Sequence, residues 1–230
     1  MTPARLPDHQ PMPRIALIHA TALAMAPIAE AFARLWPGAR ITHLLEDSLS
    51  ADLAARGELD DAMVTRFETL ARYAQSCGAD AILFTCSAFG PAIEHAARQV
   101  GIPVLKPNEA MLDEALAAGS TIGVVATFEP TLASMTGELE TLAAAQGRRI
   151  RIQTRHVPGA MDALAAGRGD EHDHAICNAL PELAGCDAVL LSQFSMAQAA
   201  PAARKLLSRP VLTSPDSAVR KLLGILGPAQ

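Results

Sequence analysis

The sequence predicts an α/β protein of two pseudo-symmetric lobes, each a mostly parallel four-stranded sheet with flanking helices. Three observations predict it: an internal repeat at one fixed spacing, short continuously apolar runs inside the repeat, and helical stretches between the runs. Gly78-Ala79-Asp80-Ala81-Ile82-Leu83-Phe84-Thr85 lies over Gly185-Cys186-Asp187-Ala188-Val189-Leu190-Leu191-Ser192. Ile102-Pro103-Val104-Leu105 lies over Arg209-Pro210-Val211-Leu212, and Arg14-Ile15-Ala16-Leu17-Ile18 over Thr121-Ile122-Gly123-Val124-Val125. All three pairs share an offset of 107 residues, the signature of a duplicated structural unit.

The runs are apolar throughout rather than alternating, as in parallel strands covered on both faces. Between them, Pro27–Trp36, Leu59–Ser76, Pro91–Val100, Pro130–Gln146 and Glu171–Leu183 carry apolar residues at spacings of three and four, so they read as amphipathic helices. Strands alternating with helices imply right-handed crossovers within parallel sheets. Residues 14–106 form the expected first lobe and 107–214 the second, joined through a mostly helical connector near Lys106–Ser120. Residues 215–227 match that connector at the same offset and are expected to pack back on the first lobe. Residues 1–13, with four prolines and no apolar core of a secretion signal, read as a flexible tail.

Composition narrows the function classes. Half of the residues are hydrophobic and 19% are charged, which excludes a disordered chain. Aromatics make up only 3%, and the net charge is −5, so neither base stacking nor general attraction for phosphates points to nucleic acid. No apolar run approaches the roughly 20 residues that span a bilayer. Four irregularly spaced cysteines make no disulfide framework, and a reducing cytoplasm is the expected setting.

In open parallel sheets, ligands bind beyond the carboxyl ends of the strands, where helix N-termini offer free N–H groups. The active site is therefore expected in the inter-lobe cleft, among the residues that follow each run. These are His19-Ala20-Thr21, Glu46-Asp47-Ser48, Cys86-Ser87, Ala126-Thr127, Gln193-Phe194-Ser195 and Thr213-Ser214. Thr21, Ser87, Thr127, Gln193, Ser195 and Ser214 supply neutral donors for a carboxylate. Cys86, beyond its run and at a helix start, is the expected reactive thiol, with a pKa lowered by the helix dipole. His19 is the expected companion acid or base. Glu46 and Asp47 read as solvated loop residues, and Cys77, Cys177 and Cys186 as structural. His172, His174 and Cys177 lie close in sequence, but His172 and His174 fall on different helix faces, so no metal site is expected. No phosphate-binding glycine pattern follows any strand.

Thr85-Cys86-Ser87 after a buried strand, the second copy of that strand, and Ile122-Gly123-Val124-Val125-Ala126-Thr127 opening the second half together resemble the aspartate/glutamate racemase superfamily, over about Arg14 to Leu226. The resemblance implies proton transfer at a carbon α to a carboxylate, with no cofactor and no metal. Its racemases place one cysteine from each half on opposite faces of that carbon. Here the position 107 residues beyond Cys86 is Gln193, which has no titratable proton, so Cys86 would be the sole thiol acid/base. The resemblance extends to arylmalonate decarboxylase, which protonates an enediolate with one cysteine. A decarboxylase of a malonate-type substrate is therefore the alternative, and a small-carboxylate binding protein without chemistry remains a third class. An Ala-rich helical exterior and the resemblance are compatible with a homodimer.

Overall fold

The computed structural model describes residues 12–227; most of the expected tail, 1–11, lies outside the described residues. Among the described residues, eight strands form two parallel four-stranded sheets. In the first, β1 (Arg14–His19), β2 (Arg40–Leu45), β3 (Ala81–Phe84) and β4 (Val104–Leu105) are ordered β2-β1-β3-β4. In the second, β5 (Thr121–Ala126), β6 (Arg151–His156), β7 (Ala188–Leu191) and β8 (Val211–Thr213) are ordered β6-β5-β7-β8. The pairing registers repeat too: Ile15 lies beside Ala81 as Ile122 lies beside Ala188.

The central strands are apolar throughout because both faces are covered. Ala16 and Ile18 point into one cluster, with Met63, Phe67 and Ala71 of α3 (Asp61–Ser76) and Ile93 of α4 (Gly90–Gln99). Ile15 and Leu17, one pleat away, point into another. There they meet Ile28 and Phe32 of α1 (Met25–Leu35) and Val219 and Leu222 of α10 (Ser214–Leu226). The edge strands differ. In β6, Arg-Ile-Gln-Thr-Arg-His, no residue is buried, as an edge strand with one solvated side permits.

Two helices tie the lobes together. After β4 the chain enters α5 (Glu109–Ala118), whose Met111, Leu112, Ala115 and Leu116 pack with Ile122, Val124 and Leu190 of the second sheet. After β8, α10 packs on the first sheet. Each lobe therefore hands its last helix to the other, and α5 and α10 meet along the interface. Arg220 pairs with Glu114, and Lys221 with Glu109 and Asp113, across that seam. Two carboxylates pin the starts of the central strands: Asp80 accepts from the Arg14 N–H at 2.7 Å, and its repeat mate Asp187 accepts from the Ser120 and Thr121 N–H groups. Asp187 comes so close that a Cβ on Gly119 would stand 2.2 Å from its Oδ2, which restricts that position to glycine.

Candidate active site

A cleft of about 380 Å³ opens at the carboxyl ends of both sheets, the place the strand topology favours for a ligand. The first lobe contributes Thr21, Thr85, Cys86 and Ser87, the second Ser192, Gln193, Phe194 and Ser195, and the connector Pro107 and Asn108. Leu23, Phe128, Met161 and Leu164 add apolar surface, with Leu23 and Phe128 exposed. Among the described residues the lining is hydroxyl, amide, thiol and apolar, with no charged side chain.

Cys86 ends the extended segment after β3 and precedes a single 3₁₀ turn, Ser87–Phe89. That turn is held from below: Phe84 and Phe89, on either side of the cysteine, both pack on Phe67, at 5.3 and 4.8 Å between ring centroids. Three of the six phenylalanines are thus spent on fixing this corner, and their mutual packing adds to the burial of their area. Gln193 occupies the matching corner after β7, also extended (φ −127°, ψ 145°, against −124° and 122° at Cys86) and also followed by a 3₁₀ turn, Phe194–Ala199.

The chemistry of the two corners differs. Burial pushes the Cys86 thiol up from its ordinary range, and hydrogen bonds from the Ala88 N–H and the Ser50 hydroxyl only partly oppose this. The expected dipole-lowered thiol is therefore not what the structure holds. Desolvation by burial is the largest cause of the shift, and its direction is opposite to the expected lowering. At the other corner, Gln193 Oε1 accepts from the Thr127 N–H at 2.7 Å and from the Thr127 hydroxyl at 2.9 Å. A backbone N–H can only donate, which fixes this atom as the carbonyl oxygen. The Gln193 amide NH₂ makes no hydrogen bond among the described residues and is available to a ligand in the cleft.

Other residues singled out in the sequence lie elsewhere. His19 is fully buried and does not line the cleft; its ring nitrogens bond to groups other than the thiol. Its Nδ1 is 2.8 Å from the Thr85 hydroxyl and its Nε2 2.9 Å from His43 Nδ1. Burial first, then the neighbouring His43, lowers its pKa to about 4, so a neutral imidazole holds Thr85, which itself lines the cleft. Ser214 is buried with its hydroxyl donated to Asn108 Oδ1 at 3.1 Å, and Thr127 is committed to Gln193; neither lines the cleft. Thr21 lines it while capping a short 3₁₀ turn, its hydroxyl accepting from the Leu23 N–H. Glu46 is engaged by Arg66 and Ser48 outside the cleft. His172 is buried against Asp173 while His174 is exposed, and among the described residues no group of three or more His, Cys, Asp or Glu is placed to hold a metal ion. The sequence reading missed Asn108, although it sits where the same rule points, just past β4.

Two parallel sheets that exchange their last helices, with a thiol at a strand end facing the cleft, define a two-lobed α/β class of protein. Within that class the chain belongs to the Asp/Glu/hydantoin racemase family, whose model matches residues 15–131. Among solved structures it is similar to aspartate racemase from Picrophilus torridus (TM-score 0.67, 15% identity, 94% of each chain covered). It is similar to a mutant of arylmalonate decarboxylase (0.68, 19%, 95% of each chain). Allantoin racemase from Klebsiella pneumoniae also matches (0.63, 19%, covering 94% of this chain and 89% of that one). At these identities the likeness establishes the fold alone. No curated protein sequence matches the chain. Among the described residues no helix is long and apolar enough to cross a membrane.

Proposed function

We infer that this protein is a cofactor-independent enzyme of the racemase/isomerase type, moving a proton at a carbon α to a carboxylate with Cys86 as its sole thiol acid/base. The observation that carries the reading is the pair of matching corners, one with a thiol and one with an amide. The carboxylate is held by neutral donors: the Gln193 amide and the hydroxyls of Ser87, Thr21 and Ser195, all on the cleft wall. Leu23, Phe128, Met161 and Leu164 fit an apolar substituent on the reacting carbon, and no acidic side chain among the described lining residues is placed to pair an ammonium. Four free cysteines accord with a reducing, cytoplasmic setting.

The upward shift that burial gives the Cys86 thiol supports a second reading, decarboxylation of a malonate-type substrate. The C–C bond to one carboxylate breaks, carbon dioxide leaves, and the electron pair remains as an enediolate on the other. The Cys86 proton then passes to the carbon, and the thiolate regains a proton from solvent. No second acid/base is needed, which matches a corner that holds Gln193.

Proton NMR in D₂O tests both readings, with the native protein and Cys86→Ala incubated with α-amino acids, hydantoins, 2-arylpropionates and substituted malonates. Cys86-dependent deuterium uptake at an α-carbon is expected. Loss of optical purity would assign racemisation, and carbon dioxide release decarboxylation. Binding of one compound without turnover would replace both with a non-catalytic carboxylate-binding role.

A further inference from the structure

A second cavity, about 540 Å³, lies between α4, α5 and α6 (Glu129–Ala145) and touches the cleft only at Ser87 and Pro107. Its volume lies in the range of small-molecule sites. The 107-residue offset locates its counterpart in the other half, between α1, α10 and the turn after β7, and that counterpart is filled. Phe194 packs there among Ile28, Ala31 and Val219. Arg34 lays its guanidinium on Asp216 at 2.6 Å, and Arg204 reaches the same carboxylate at 2.8 Å. In the open copy, Ser87 stands in the place of Phe194, Thr141 in that of Arg34, Ala97 in that of Arg204 and Glu109 in that of Asp216. The apolar plug and both guanidiniums are missing, while the carboxylate is retained.

The charges in the open copy do not balance. Lys106 pairs with Glu94 at 2.6 Å, and Lys221 with Glu109 at 3.1 Å. Glu138, which replaces the buried Ala31 of the other half, faces the cavity with no ion pair among the described residues. Burial raises its pKa, against a hydrogen bond from Asn108 and the charge of Lys106. Leu112, Leu142, Ala145, Pro91 and Pro107 supply apolar walls.

We propose that this cavity is a binding site for a small organic monocation with an apolar stem, an alkylguanidinium or alkylammonium, which pairs with Glu138 and takes the place that Arg34 and Phe194 fill in the other half. The molecule itself shows the pattern in the filled half, a guanidinium on a carboxylate beside an apolar group; in the open half the carboxylate without an ion pair among the described residues is Glu138 of α6, since Glu109 is held by Lys221. This site is separate from the proposed reaction and stands or falls without it.

Isothermal titration of the full chain with n-butylguanidinium, n-butylammonium and n-butanol tests the proposal. The two cations are expected to bind at least tenfold more tightly than the alcohol. Glu138→Gln, at a half-buried surface position, is expected to remove that preference, and Thr141→Arg to block binding by restoring the internal plug. Comparable binding of alcohol and cations, no binding of either cation, or cation binding that survives Glu138→Gln would overturn it.

Discussion

In the first half the corner after the central strand carries Cys86 and Ser87; in the second the same corner carries Gln193 and Phe194. Strand order, pairing register and backbone angles repeat between the halves, yet side chains that meet the cleft do not. The difference teaches that the duplicated scaffold fixes where groups stand, while the chemistry of the side chains placed there varies between the halves. The first half keeps the titratable thiol and the buried imidazole. The second uses Gln193 and Thr127 as a fixed pair that presents two amide donors. On the proposed reading, the thiol of one corner acts as the acid and the amide of the other as the carboxylate clamp.

The largest effect should come from exchanging the corners' chemistry. Cys86→Ala is expected to lower turnover by about 10²–10⁴-fold, the usual contribution of a positioned acid/base. Gln193→Ala is expected to act mainly through KM, because it removes carboxylate donors and loosens Thr127. Gln193→Cys would place a thiol at each corner and, where the reaction is decarboxylation, is expected to lower the optical purity of the product. Equal losses of kcat in Cys86→Ala and Gln193→Ala would break the comparison, since both corners would then carry the chemistry.

A smaller effect concerns pH, and again the halves differ. His19 is matched in the second half by Ala126, Thr85 by Ser192, and His43 in strand register by Thr154. Only the first half therefore holds a buried imidazole at this place. With a folded pKa of about 4 against 6.5 unfolded, the unfolded chain binds the extra proton between those values. Stability is then complete above pH 6.5, falls as pH drops through that window, and the whole contribution is lost below pH 4. The shift corresponds to at most roughly 3 to 4 kcal/mol at about 1.4 kcal/mol per unit. Urea titrations of the native protein and His19→Asn from pH 4 to 7 check it. The variant should lose most of the slope, and an unchanged slope would move the sensitivity elsewhere.

The strands were legible in the sequence where burial dictates composition. Ile15–Ile18, Ala81–Phe84, Ile122–Val125 and Ala188–Leu191 are apolar because both sheet faces are covered. Edge strand β6 escaped notice because its side chains are half in water. The short helices α2 (Ser48–Arg56), α7 (Ala160–Ala165) and α9 (Ala200–Leu206) offer too few turns for a periodic signal. Strand ends pointed to the cleft, and Thr21, Cys86, Ser87, Gln193 and Ser195 line it. The rule could not tell which hydroxyls turn inward. Ser214 and Thr127 satisfy partners fixed by tertiary contacts, Asn108 and Gln193, that local sequence does not reveal. The direction of the Cys86 shift was also illegible, since it depends on desolvation by distant segments rather than on its own helix.

The smallest expected effect separates the two cross-lobe helices. Asp216, near the start of α10, is 2% exposed; its backbone N–H donates to the Thr213 hydroxyl, and its carboxylate accepts from two guanidiniums. Those bonds hold its carboxyl below the usual range even though burial pushes the other way. Its counterpart Glu109, at the start of α5, is more exposed and has one ammonium partner. Hydrogen bonds to charged groups contribute about 1.5–3 kcal/mol where water is excluded, while surface pairs contribute about 1 kcal/mol or less. Asp216→Ala is therefore expected to cost about 2 kcal/mol in urea unfolding, and Glu109→Ala less than about 1 kcal/mol. The Asp216 contribution should also vanish with acid. Its depressed pKa gives stability that is present above the unfolded value, near 3.8, and lost as pH falls below it. If the two substitutions cost the same, the filled groove beneath α10 is no tighter than the open one beneath α5, and the asymmetry between the halves would be confined to the cleft.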